Sequence, residues 1–133
     1  MEILRADKTH LAELARLFDL YRQFYECKPD LALARNFLEE RLEHSESIVF
    51  AAHSDRDKLA GFVQLYPSFC SVEATKILIL YDLYVDAPYR QRGIGEELMN
   101  RASRHAREAG AQRLDLLTAH SNHAGQHLYE KLG

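Results

Sequence analysis

A mixed α/β fold is the class this sequence predicts, and three observations predict it. Apolar residues recur at helical spacing up to about residue 43 and at strand spacing from about residue 47. A near-continuous run of Ile, Leu and Tyr, KILILYDLYV at 76–85, has the composition of a central strand covered on both faces. That run is followed by one amphipathic helix and a further strand, RLDLLT at 113–118, so the two strands are expected to lie parallel across a right-handed helical crossover.

The elements follow in order. EILRA at 2–6 reads as a short strand, after which Thr9 can cap a helix burying Leu11, Leu14, Phe18 and Tyr21 and ending before Lys28-Pro29. Asp30 is the expected N-cap of a second helix, with Leu33, Phe37, Leu38 and Leu42 on one side and Glu39, Glu40 and Glu43 on the other. SIVFAAH at 47–53 and LAGFVQLYP at 59–67 are β-rich and joined by a polar turn, hence a hairpin. After the central strand, a third helix from Ile94 should bury Ile94, Leu98, Ala102 and Ala106, gain support from Glu97 and Arg101 at i,i+4, and stop at Gly110. A last helix from about His123 to Leu132 completes the order β-α-α-β-β-β-α-β-α.

With 133 residues and 47% hydrophobic content, the chain fits one domain, residues 1–133. A net charge of −3 gives no electrostatic case for a nucleic-acid or anionic-membrane partner. The N-terminal residues lack an apolar signal region, and the longest uncharged apolar stretch, Ile77 to Tyr81, is far too short to span a bilayer; a soluble, cytoplasmic protein is expected. Cys27 and Cys70 have no metal-ligand spacing and read as reduced thiols. His120 and His123 pair without a third ligand, so no metal site is expected.

The chemistry concentrates in PYRQRGIGEEL, Pro88 to Leu98, between the central strand and the third helix. Backbone N–H groups at a helix start lack intrahelical partners and carry the positive end of the helix dipole, which makes an anion site. Gly93 and Gly95 let a phosphate approach without a Cβ in the way, and Arg90 and Arg92 supply formal charge. A nucleotide-binding Walker loop is excluded because no Lys-Ser/Thr follows Gly95, and the dinucleotide fingerprint fails because Leu98 stands where a third glycine is needed.

The spacing R-x-x-G-x-G (Arg90, Gly93, Gly95) directly after LYVDAPY resembles the acetyl-coenzyme A signature of the GCN5-related N-acetyltransferases (GNAT), and TAHSNHAGQHLYEKLG is similar to that family's second motif. The element order is similar too, over essentially the whole chain. The resemblance implies a central sheet splayed between its two parallel strands, and acetyl-coenzyme A as co-substrate with no metal. It implies that the amides of Gln91, Arg92, Gly93, Ile94 and Gly95 bind the diphosphate with Arg90 adjacent, and that the backbone of Leu83, Tyr84 and Val85 pairs with the pantetheine arm like an added strand. It further implies that Asn122 touches the pantetheine, unless it is simply an N-cap, and that Tyr129 faces the sulfur, unless it is a core aromatic.

Acetyl transfer to an amine needs a neutral nucleophile, a polarised carbonyl and a proton for the leaving thiolate. An alkylamine with a pKa near ~10.4 is almost wholly protonated at neutral pH, so a base or water chain must take a proton. Tyr129 is the expected acid, a backbone N–H near Leu83 the expected polarising group, and Glu73 or Asp82 the expected base, with Tyr81 or water as alternatives. A structural role for a buried Asp82 stays open.

For the acceptor, Tyr21, Phe24, Tyr25, Tyr66 and Phe69 are expected to form part of an aromatic wall for a cation, with Glu73 adding charge; the acidic run EERLEHSE at 39–46 reads as a solvated helix face, with attraction of cations as the alternative. LYRQFY, QLYPSF and YDLYVD are similar to stretches of family members acting on histones and polyamines, implying a primary amine: a small amine or polyamine, or a lysine side chain. The family's one or two strands beyond YEKLG are missing from this chain, so a homodimer covering the exposed sheet edge is expected. The competing readings are a sensor that binds acyl-coenzyme A without turnover and a purely structural interaction module.

Overall fold

A computed structural model describes residues 1–54 and 57–117. Five strands, β1 (Glu2–Arg5), β2 (Ile48–His53), β3 (Leu59–Cys70), β4 (Thr75–Val85) and β5 (Leu114–Leu116), and three helices, α1 (Leu11–Phe24), α2 (Leu31–Glu43) and α3 (Ile94–Glu108), follow in the expected order. The strands lie in one sheet in the order β1-β2-β3-β4-β5, with β4 and β5 parallel and every other neighbouring pair antiparallel. The helix expected at 123–132 lies outside the described residues, together with Asn122 and Tyr129. No helix among the described residues is long and apolar enough to cross a membrane.

Each face of the sheet carries one half of the core. On one face, α1 and α2 pack Leu14, Leu17, Phe18 and Leu38 against Val49, Ala51 and Phe62. On the other, α3 packs Ile94, Leu98, Met99 and Ala102 against Phe50, Val63, Leu65 and Leu80. Arg16 ties α1 to the strand ends, donating to Glu13, to Asp86 Oδ2 at 3.0 Å and to Leu59 O at 3.1 Å. The close contact of β3 and β4 depends on Gly61, where an added Cβ would stand 2.7 Å from Tyr84 O. Gly61→Ala is therefore expected to cost about 1–3 kcal/mol, the range for overpacking, read as a lower urea midpoint. An unchanged midpoint would mean that the two strands part freely there.

Several sequence expectations are corrected. Asp7, not Thr9, makes the first cap: it accepts from Thr9 N at 2.9 Å and opens a 3-10 turn (Lys8–His10) that runs into α1, because an ionised carboxylate is a stronger acceptor than the Thr9 hydroxyl. Asp30 does cap α2, accepting from Leu33 N at 3.1 Å. Of the expected α2 stripe, Leu38 is buried and Phe37 and Leu42 pack against the core, but Leu33 is 49% exposed and Ala34 takes the buried position in its place. Arg101 lies over the Phe50 ring at 4.3 Å with Glu108 at 3.7 Å, rather than pairing with Glu97. Strand β3 runs past Pro67 to Cys70, and it can do so because β2 pairs with it only as far as Leu65, so the missing Pro N–H falls on an open edge.

Candidate active site

Strand β4 carries one residue too many for its partner. Gln64 pairs with Asp82 and Leu65 with Leu80, leaving Tyr81 as a bulge. The extra residue changes which face each side chain takes. Leu83 and Val85 join Leu78 and Leu80 on the α3 face, whereas Asp82 and Tyr84 turn toward α1. Among the described residues, β5 pairs with Leu78, Ile79 and Leu80, and Leu117 N bonds to Leu80 O.

Antiparallel pairing alternates between residues that bond to the partner and residues that face away. Asp86 N bonds to Ala60 O, so Tyr84 and Asp82 also turn their backbone groups toward β3. The N–H and C=O groups of Leu83 and Val85 then face the β5 side of the strand. Among the described residues no strand pairs with them there; Val85 O accepts from Arg90 Nε at 2.8 Å. Of the three residues expected to pair with the pantetheine arm, Leu83 and Val85 turn their backbone groups away from β3, whereas those of Tyr84 belong to the β3 ladder.

The loop from Arg90 to Gly95 adjoins this open edge. Gln91 at φ 64° and Gly93 at φ 79° are both left-handed, a backbone conformation found in turns that gather amides around an anion. A left-handed conformation costs a non-glycine residue about 1–2 kcal/mol, so the surrounding structure must hold Gln91 in place. Gly93 is the N-cap of α3, whose first bond runs from Glu97 N to Gly93 O, leaving the amides of Ile94 and Gly95 at the helix end. A Cβ built at Gly93 would meet nothing within 4 Å, and one at Gly95 only Val85 Cγ2 at 3.9 Å. The cradle that a Cβ would fill is open, as a diphosphate requires. Arg90 and Arg92 lie over the rings of Tyr84 and Tyr89 at 5.4 and 5.7 Å and flank the loop with positive charge.

On the opposite face, Asp82 is 6% exposed and accepts from Gln64 Nε2 at 2.9 Å; Gln64 is fully buried and its Oε1 has no hydrogen-bond partner among the described residues. Burial pushes the Asp82 carboxyl above its ordinary range, against the opposing pull of Gln64 and of the Tyr21 hydroxyl. The Tyr21 and Tyr66 phenols are pushed up as well, by burial first and by the Asp82 charge second. Ring contacts join Tyr21 to Tyr25 at 5.1 Å and to Tyr84 at 6.1 Å, and Tyr66 to the bulged Tyr81 at 5.4 Å.

Glu73 is not part of this group. It sits in the turn joining β3 to β4, about 20 Å along the strand from Asp82 at roughly 3.3 Å per residue. There it forms an ion pair with Arg113, so the two proposed bases cannot serve one site. Phe69, 76% exposed near the same tip, lies away from the Asp82 cluster, whereas Tyr21, Tyr25 and Tyr66 gather at it and Phe24, 54% exposed, meets the outer side of Tyr25 at 5.4 Å. Sequence reading missed Gln64, for which the signal was the lone amide within an apolar strand run, and it named Tyr84 for its backbone rather than for the ring that meets Tyr21. Asn122 and Tyr129 lie outside the described residues. No group of three or more His, Cys, Asp or Glu that could hold a metal ion occurs among the described residues.

Comparison with known proteins agrees with this geometry. The chain is 41% identical over 133 residues to the uncharacterized N-acetyltransferase YhfO of Bacillus subtilis strain 168, covering 100% of this chain and 89% of that protein. It is 32% identical over 104 residues to a probable acetyltransferase of Haemophilus influenzae, covering 77% of this chain and 70% of the relative. A crystal structure of a probable acetyltransferase superposes with a TM-score of 0.92 at 40% identity, covering 100% of this chain and 89% of that one. The family model described as the acetyltransferase (GNAT) family matches residues 14–133, and with that match the chain belongs to the GNAT family of acetyltransferases.

Proposed function

We propose that the protein transfers the acetyl group of acetyl-coenzyme A directly to a primary amine while both substrates are bound. The observation that carries this reading is the backbone of Leu83 and Val85, which no strand among the described residues pairs with on the β5 side, adjoining the loop amides at the start of α3. An extended pantetheine arm would bond to those groups as an added strand, and the amides of residues 91–95 would hold its diphosphate. Arg90 would give up Val85 O to the arm and, with Arg92, face the phosphates. The N–H of Leu83 would polarise the acetyl carbonyl, and Asp82 would take a proton from the acceptor. Burial raises its affinity for protons, the direction that makes a stronger base. Asn122 against the pantetheine and Tyr129 beside the sulfur complete the proposal. An amine acceptor is supported by the N-acetyltransferase description of the Bacillus relative and by the carboxylate ringed by tyrosines.

Incubation with acetyl-coenzyme A and a panel of spermidine, ornithine and blocked lysine, read by mass spectrometry, is expected to yield an N-acetylated amine. Cofactor binding with every amine unchanged would instead favour a sensor. Tyr129→Phe is expected to lower kcat by about a hundredfold, the low end for a general acid, because a thiolate of pKa near ~8.5 leaves tolerably well unaided. Titration should show nearly unchanged affinity for acetyl-coenzyme A; undiminished kcat would remove Tyr129 from the chemistry.

A further inference from the structure

A glutamine in the interior of a sheet is costly unless its amide is used, because a buried polar group has given up its water. Gln64 is fully buried, with Phe62, Val63 and Leu65 buried around it in β3, and an apolar side chain of the same length would fill the space without that cost. Its amide donates from Nε2 to Asp82 Oδ2 at 2.9 Å, while Oε1 has no hydrogen-bond partner among the described residues. A residue present for stability alone would not carry that unsatisfied oxygen. The Tyr81 bulge makes the pairing. Continued without an extra residue, the Leu65–Leu80 register would set Gln64 opposite Tyr81; the bulge brings Asp82 into that place, on the face that Gln64 shares with Phe62 and α1.

We propose that Gln64 is a positioning residue of the transfer reaction: its amide, set alongside Asp82 by the bulge, aims the carboxylate and stabilises its charged form through a direct hydrogen bond. The inference rests on the reading of Asp82 as the base. The bond takes up Oδ2 and fixes the plane of the carboxylate, so Oδ1 is the oxygen that accepts the amine proton. A hydrogen bond donated to a carboxylate favours the charged form, and here it opposes burial, which favours the neutral one. Without the amide, burial meets less opposition, and Asp82 keeps a proton at pH values where the reaction needs a free base. Among the described residues, the titratable groups facing the carboxyl are Tyr21 from α1 and Tyr66 from β3, while Arg41 of α2 acts on Tyr66.

The test uses the full chain, saturating acetyl-coenzyme A and whichever of spermidine, ornithine or blocked lysine is turned over fastest. In the wild-type protein, the Gln64 side-chain amide signals in proton–nitrogen correlation spectra are expected to titrate with the same midpoint as the acidic limb of kcat/KM for the amine. Gln64→Met keeps the length of the side chain and removes the donor. It is expected to move that limb up by about one pH unit, the size of one hydrogen bond to a charged group, so that kcat/KM falls about tenfold on the limb and recovers at alkaline pH. Its melting curve reports whether it folds, and the wild-type titration decides if it does not. Amide signals that ignore pH, a midpoint unlike that of the limb, or a limb left in place in folded Gln64→Met overturns the positioning role. Full activity in Asp82→Asn overturns instead the base assignment beneath it, so the two failures are distinguishable.

Discussion

Replacing Gly95 with valine is expected to weaken coenzyme A binding by more than about a hundredfold while the protein stays folded. The fold tolerates the change: the first added carbon meets only Val85 Cγ2, at 3.9 Å, in ordinary contact, and valine is a slightly better helix former than glycine. The ligand does not tolerate it, because the branched side chain fills the cradle outside the first turn of α3. Losing two charge-assisted hydrogen bonds at about 1.5–3 kcal/mol each accounts for the expected loss, since every 1.4 kcal/mol is about tenfold. Calorimetry of the variant beside its melting curve checks both halves. Full affinity in a folded variant would remove the loop from binding.

Asp82→Asn should lower kcat by about 10²- to 10⁴-fold, the range for a general base, with acetyl-coenzyme A affinity preserved. Stability should move the other way. Burial raises the Asp82 pKa above the unfolded value of 3.8, so the folded state holds that proton more tightly than the unfolded chain. The resulting stabilisation is present below the unfolded pKa and is lost as pH rises through the folded one. Asparagine keeps an oxygen for Gln64 Nε2 and carries no charge to bury, so at neutral pH the variant should melt no lower than wild type, while its advantage shrinks in acid. A neutral-pH melting temperature well below that of wild type would show that the carboxylate itself holds β3 to β4, and unchanged kcat would exclude it as the base.

Much of this arrangement can be read in the chain, and what cannot has physical causes. Element order and the glycine loop rest on local chemistry: period, caps and the bare backbone of Gly93 and Gly95. The Tyr81 bulge is invisible in an unbroken apolar run, because an extra residue exists only relative to the partner strand. For the same reason the sequence does not reveal that Leu83 and Val85 offer backbone while Tyr84 does not. Gln64 meets Asp82 from 18 positions away, a pairing set by register rather than by any local signal. Glu73 was misjudged through strand length: ending β3 at Pro67 brings the following turn near the site, whereas pairing to Cys70 carries that turn to the far tip.

Residue-resolved amide hydrogen exchange with and without coenzyme A tests the central claim most directly, since the claim names the amides that hold the ligand. Saturating coenzyme A is expected to slow exchange at Leu83, at Val85 and across Gln91 to Gly95, with Tyr84 and Asp82 changing little because they already bond to β3. Binding that leaves Leu83, Val85 and the loop amides exchanging as in the free protein would contradict it.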